Sequence, residues 1–87
     1  MKPLIKKPSD QEKKEAENWP IWEKEESEFP WEYDVNETCL ILKGDVILTN
    51  EEGEDFHFGQ GDYVIFPKGM KCTWKINKDV RKHYKLG

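Results

Sequence analysis

The amino-acid sequence predicts an all-β sandwich or barrel with a short N-terminal helix. Apolar and polar residues alternate along several short segments, which is the period of half-buried strands. Clusters of Gly, Pro and Asn separate these segments at regular intervals, as turns do in all-β domains. The chain has 87 residues, which is the size of one small domain.

The N-terminal part differs from the rest of the chain. Residues 1–8 contain two prolines and three lysines, and they are predicted to form a loosely held arm. Ser9 and Glu12 have the spacing of a capping box, so a helix is expected over about residues 10–17. Because Ala16 is its only apolar residue, this helix is expected to lie on the surface. The chain therefore divides into an N-terminal arm and short helix at residues 1–18 and a β-domain at residues 19–87.

Seven segments of the β-domain have the alternation or the composition of strands. In the longest, Gly44 predicts a bend, because glycine inside a strand often marks a bulge or a corner. The turns between segments are rich in Gly, Pro and Asn, which favour turn conformations. The expected strands cover residues 19–25, 28–34, 37–49, 55–58, 63–66, 70–76 and 80–86.

Composition excludes several classes of function. Charged residues make up 37% of the chain, but both signs are interspersed and the net charge is −4, so a nucleic-acid partner is not expected. The apolar runs are far shorter than a membrane span, and none follows the N-terminal lysines, so neither a membrane partner nor a signal peptide is expected. The two cysteines, Cys39 and Cys72, do not suit a secreted disulfide scaffold. We therefore expect free thiols and a cytoplasmic location.

Two segments carry residues at fixed spacings. The first reads Trp31-x-Tyr33-x-x-x-Glu37 and, after six residues, Gly44. The second reads Gly61, five residues, Pro67-x-Gly69, two residues, Cys72. Glycine suits turns that need a positive φ, and proline can end a strand because it donates no ladder hydrogen bond.

This pattern resembles the double motif of the cupin family. The usual motif is His-x-His, three or four residues, Glu, six residues and Gly, followed by Gly, five residues, Pro-x-Gly, two residues and His. The resemblance covers about residues 19–84 and implies a cupin-type double-stranded β-helix, or jelly-roll barrel. Residues 37–39, 66–74 and 80–84 more specifically resemble the small single-domain cupins grouped with (S)-ureidoglycine aminohydrolase.

The resemblance implies a metal held by three histidines and one glutamate at the barrel mouth. Here Trp31, Tyr33 and Cys72 stand at the histidine positions, and only Glu37 is retained. Indole has no acceptor nitrogen for a metal, and a phenol loses its proton only near a pKa of about 10. Glu37 and Cys72 alone are too few ligands, so no metal and no other cofactor is expected. The metal-dependent aminohydrolase activity is therefore not expected either.

We predict instead that the barrel mouth binds a small-molecule ligand. Glu37 is the candidate catalytic residue, as a general acid or base, although it could equally be a hydrogen-bonded structural carboxylate. The aromatic side chains could line a pocket or fill the core. The thiols are expected to be inert, because no histidine is placed beside either of them in the sequence. The predicted wall of the site is Trp31, Tyr33, Glu37, Cys39, Cys72 and Trp74.

Three function hypotheses follow from these residues. The leading one is a metal-free small cupin that binds a small molecule. The second is an enzyme of nitrogen or carbohydrate metabolism that uses Glu37 as acid or base, with or without a metal at Glu37 and Cys72. The third is a structural or partner-binding domain that forms a homodimer. Both histidines, His57 and His83, are expected at the surface or at the rim.

Overall fold

Seven strands and one short helix make up the structure, a computed structural model that describes residues 1–87. Every paired strand is antiparallel, and the main path through the sheet is β1-β6-β4-β7-β2, with β3 paired to β7 and β5 paired to β4. The prediction of an all-β domain with a short N-terminal helix is confirmed. The elements are β1 (Leu4–Lys6), α1 (Asp10–Ala16), β2 (Ile21–Lys24), β3 (Ser27–Glu32), β4 (Glu37–Asn50), β5 (Asp55–Gly59), β6 (Tyr63–Phe66) and β7 (Lys71–Leu86).

Two long strands, β4 and β7, hold the barrel together. They pair with each other from end to end, and each also pairs with two shorter strands. Their register shifts between Ile41 and Val46, at the bend that Gly44 predicts. Gly44 has a φ of +129°, and a Cβ there would lie 2.8 Å from Val80 Cγ2. Glycine is therefore required for both conformation and space, and the predicted bend is confirmed.

The interior is built largely from aromatic rings. Phe58, Phe66 and Trp74 are almost completely buried, and their ring centroids lie 5.3–5.8 Å apart. Such separations suit edge-to-face and tilted aromatic pairs. On β7 the inward positions follow the strand period of two, and they are Cys72, Trp74, Ile76, Val80 and Lys82.

The N-terminal segment is more closely attached than the sequence predicts. The loosely held arm is wrong for Leu4–Lys6, which pair with β6 as an edge strand while Ile5 packs on the core. The capping box is present: Ser9 Oγ accepts a hydrogen bond from the Glu12 backbone N–H at 3.2 Å, and the Glu12 carboxylate accepts one from the Ser9 N–H at 2.8 Å. The helix lies on the surface as expected and is anchored by Ala16, which is fully buried. No helix is long and apolar enough to cross a membrane.

Candidate functional site

An open cavity of about 610 Å³ lies between β2, β3, the start of β4 and β7. Its rim includes Trp31, which is 51% exposed, and its base includes Glu37, the first residue of β4. Four predicted site residues, Trp31, Tyr33, Glu37 and Trp74, are therefore brought together in its wall. The full wall consists of Trp22, Glu23, Lys24, Phe29, Pro30, Trp31, Tyr33, Glu37, Trp74, Lys82, Tyr84 and Leu86.

A buried ion pair forms the base of the cavity. Lys82 Nζ donates a hydrogen bond to Glu37 Oε2 at 2.6 Å, and the two side chains are only 6% and 9% exposed. The two residues meet because β4 and β7 pair at this end of the barrel and both side chains point inward. A buried carboxylate needs a partner, and here the partner is an ammonium group.

The ammonium of Lys82 also lies over aromatic faces. Its Nζ is 4.7 Å from the ring centroid of Trp22, 4.8 Å from that of Trp74 and 5.8 Å from that of Phe66. Ring quadrupoles attract a cation at these distances, and more strongly where water is excluded. The positive charge of Lys82 is therefore stabilised by one carboxylate and a set of aromatic rings.

Tyr33 supplies a neutral hydroxyl to the wall. Its ring stacks on Phe66 with centroids 4.8 Å apart, and its hydroxyl oxygen accepts a hydrogen bond from Trp74 Nε1 at 3.1 Å. Burial, and secondarily the nearby charge of Glu37, raises the pKa of Tyr33 far above its usual range. The phenol therefore keeps its proton, which it can donate to a further acceptor.

One oxygen of the buried ion pair is free. Glu37 Oε2 accepts the bond from Lys82, whereas Glu37 Oε1 has no hydrogen-bond partner in the chain. No fully buried side-chain oxygen or nitrogen lacks a hydrogen-bond partner, so Oε1 is not fully buried. Because Glu37 lines the cavity, Oε1 is an acceptor available to a molecule bound there.

The two cysteines lie outside the cavity wall. Cys39 is fully buried in the core, and Cys72 is buried close to β3, where its Sγ lies 3.6 Å from the Trp31 carbonyl oxygen. Burial raises the pKa of Cys39 to about 12 and that of Cys72 to about 11, so neither is a thiolate at neutral pH. The structure thus places these two predicted wall residues behind the wall, as free thiols.

Neither histidine lies in the cavity wall. His57 is exposed on β5 and hydrogen-bonds Asp45 across the β4–β5 pair. His83 Nδ1 is 2.9 Å from the Trp19 carbonyl oxygen, on the opposite face of β7 from Lys82. No imidazole is therefore available as a base for a cysteine or for a ligand in the cavity.

The residues at the metal positions that the cupin resemblance implies do not fit a metal. No group of three or more His, Cys, Asp and Glu side chains is close enough to hold an ion. The retained carboxylate, Glu37, already binds the ammonium of Lys82. Trp31 donates only through its indole N–H, and the phenol of Tyr33 stays protonated. These side chains are suited to hydrogen bonding and not to metal coordination.

Lys82, Trp22 and Phe29 are in the wall but not among the predicted site residues. For Lys82 a signal was present: it lies at an even spacing from Trp74, Ile76 and Val80, and so on the inward face of one strand. Its neighbours in sequence are basic, which favoured a surface position instead. Phe29 had the same kind of signal, since it alternates with Trp31 and Tyr33, whereas Trp22 had none. Strand pairing with β7 brings both to the cavity.

Comparisons with known proteins agree on the fold. A DUF861 family protein of Thermotoga maritima is 52% identical, with a TM-score of 0.95, and the match covers 99% of this chain and 100% of that one. A putative ethanolamine utilization protein Q of Salmonella typhimurium is 26% identical, with a TM-score of 0.66, over 74% of this chain and 51% of that one. A DUF861 family protein of unknown function from Pseudomonas syringae is also 26% identical, with a TM-score of 0.70, over 77% and 29%.

A search of curated proteins gives no match. The family model described as the EutQ-like cupin domain matches residues 11–84, which is most of the chain and includes the helix as well as the barrel. The general cupin resemblance is confirmed, while the narrower likeness to the ureidoglycine aminohydrolase cupins is not. The chain belongs to the EutQ-like cupin family.

Proposed function

We propose that this protein binds a small organic molecule in the aromatic cavity and does so without a metal. The observation that carries the proposal is an open cavity of about 610 Å³ whose wall is half aromatic, with a carboxylate oxygen at its base that has no hydrogen-bond partner in the chain. Small-molecule sites typically have volumes of roughly 300–1,000 Å³, apolar walls and a few convergent polar groups.

The exposed indole of Trp31 gives further support. A half-exposed Trp at the rim of an apolar cavity leaves a large ring surface in water, and a bound molecule would cover it. The interior is already filled by Phe58, Phe66 and Trp74, so Trp31 is not needed to complete the core. The exposed part of the wall is therefore better explained by a bound molecule than by packing of the barrel interior.

The activities of the relatives are not assigned to this chain. Ethanolamine utilization is named for the Salmonella protein, of which the match covers about half. The ureidoglycine aminohydrolase cupins use a metal, for which the donor set around Glu37 and Lys82 is unsuited. The acid–base role of Glu37 and the formation of a homodimer stay predictions.

The proposal is tested with protein purified without metal-affinity resin. Mass spectrometry of the unfolded sample should release a small molecule, and elemental analysis should find no stoichiometric transition metal. A metabolite panel should raise the melting temperature of the wild type, and Trp31→Ala should abolish this shift. Leu4→Ala removes an exposed apolar side chain outside the cavity and is the control.

Two further variants address the polar groups, Glu37→Gln and Tyr33→Phe. Both should reduce the ligand-induced thermal shift, because each removes a group that faces the cavity. If neither variant nor Trp31→Ala alters any ligand-induced shift, the cavity is not the binding site. A stoichiometric metal would contradict the metal-free part of the proposal.

A further inference from the structure

The charges of the cavity wall cancel. Glu37 and Lys82 neutralise each other at the base, where Nζ and Oε2 are 2.6 Å apart. Glu23 and Lys24 at the rim are the other two charged side chains of the wall. The phenol of Tyr33, also at the base, is neutral because burial raises its pKa. A molecule in this cavity therefore meets no net charge.

The free polar atoms are an acceptor and a donor. Glu37 Oε1 can accept one or two hydrogen bonds, and the Tyr33 hydroxyl can donate its proton while it accepts from Trp74. The two remaining N–H bonds of Lys82 have no oxygen or nitrogen partner in the chain, and the ammonium lies over indole rings. The base of the cavity is thus equipped for a molecule with both O–H or N–H donors and an acceptor.

The aromatic walls favour a ring. Phe29 and Trp74 stack with an interplanar angle of 19°, and Trp22 meets Trp74 edge-on with centroids 5.9 Å apart. Trp31 adds a half-exposed indole surface at the rim. Trp74 is only 2% exposed and supports the wall from behind, so the surfaces that a ligand ring can stack on are those of Trp31 and of the half-buried Trp22 and Phe29.

We propose, resting on the proposed function, that the ligand is an uncharged ring carrying at least one O–H or N–H donor. A charged ligand would lose part of its hydration in this cavity and would meet no net counter-charge, which disfavours it. Neutral monosaccharides and neutral planar heterocycles share this chemistry, and the experiment separates the two.

The test compares matched neutral and charged rings on the wild-type protein. The sugars are glucose, glucosamine as the cation and glucuronate as the anion, and the heterocycles are uracil and its carboxylate, orotate. Ligand-observed NMR titrations give the dissociation constants. In at least one series the neutral member should bind about tenfold or more tightly than its charged relatives. The series that binds identifies the kind of ring.

Variants of the ion pair supply a reciprocal control. Glu37→Gln leaves Lys82 unpaired and gives the wall a net positive charge, so the anion of the responding series should gain affinity relative to the neutral ring. Lys82→Met leaves Glu37 unpaired, so glucosamine should gain relative to glucose. The double variant restores neutrality and should restore the neutral preference. Circular dichroism confirms that each variant is folded, and Glu23→Gln controls for a charge change at the rim.

Each outcome bears on the inference. If a charged ring binds the wild type most tightly, the inference is overturned but the proposed small-molecule site stands. The same holds if the ion-pair variants leave the preference for neutral rings unchanged. If no probe binds, the co-purified molecule decides: a neutral ring with a donor supports the inference, and an ionic molecule overturns it. If no probe binds and nothing co-purifies, both the inference and the proposed function fall.

Discussion

Replacing Lys82 with methionine tests how far the ion pair determines the stability of the barrel. Methionine preserves an unbranched chain of similar length and can still contact the indoles of Trp22 and Trp74 through its sulfur. The change therefore removes mainly the charge, and it leaves the carboxylate of Glu37 buried without a counter-charge. Removal of one partner of a buried pair typically costs about 3–5 kcal/mol.

We expect a loss near the lower end, about 3 kcal/mol, because Glu37 Oε1 is not fully buried and keeps some contact with water. In a domain of this size each kcal/mol lowers the melting temperature by roughly 4–8 °C, so the expected fall is roughly 12–24 °C. Urea denaturation followed by tryptophan fluorescence measures the loss directly, provided that the m-value of the wild type is retained.

A matched control is available in Lys24, whose ammonium lies 5.2 Å from the ring centroid of Phe29 at the exposed rim. Lys24→Met should cost less than about 1 kcal/mol, because an exposed cation–π contact contributes little. The double variant Glu37→Gln/Lys82→Met should recover most of the stability, since no unpaired charge remains. The reasoning is refuted if Lys82→Met costs no more than Lys24→Met, or if the double variant is no more stable than the single one.

Three further predictions concern the thiols, the bend and the helix cap. Burial raises the pKa of Cys39 to about 12 and that of Cys72 to about 11, so the folded chain holds these protons more tightly than the unfolded chain. Stability should therefore fall as the pH rises above about 9, and a thiol reagent at pH 8 should label the native protein far more slowly than the urea-unfolded one. Gly44→Ala should destabilise the fold by about 3 kcal/mol in urea titrations, and Gly53→Ala, with a positive φ but open space, by only about 1 kcal/mol. Equal losses would show that space at Gly44 is unimportant. Ser9→Ala should cost about 1 kcal/mol by the same assay, and no loss would mean that the capping box is not stabilising.

The sequence predicted most of the fold because its signals are local. Gly44, Gly61 and Gly69 all have positive φ values, so the spaced glycines do mark the places where strands bend or end. The alternation along residues 70–76 predicted the inward positions in the first half of β7, but the sequence pattern indicated two strands, at residues 70–76 and 80–86, whereas Lys71–Leu86 is continuous. Strand β1 was missed because three residues are too short for a period, and it forms only through pairing with β6.

The candidate site was harder to predict, because it depends on the register in which the strands pair. The family motif placed Trp31, Tyr33 and Glu37 at the barrel mouth, and the strand period did the same for Trp74. No local pattern distinguishes a lysine that meets a buried carboxylate from one that points into solvent. The contact of Lys82 with Glu37 depends on the register of β4 and β7, which places Lys82 opposite Ile41, four residues from Glu37.

The pairing of Lys82 with Glu37 changes the kind of chemistry that this barrel mouth offers. A carboxylate that faces several histidines presents a site for a cation, whereas here the cation belongs to the chain itself. Because the ammonium is held by Glu37 Oε2 and by aromatic faces, it occupies one oxygen and leaves the other for hydrogen bonding. The result is an electrically neutral, hydrogen-bonding base beneath aromatic walls. In such a site, recognition depends on ring shape and on the placement of donors, since charge provides no net attraction.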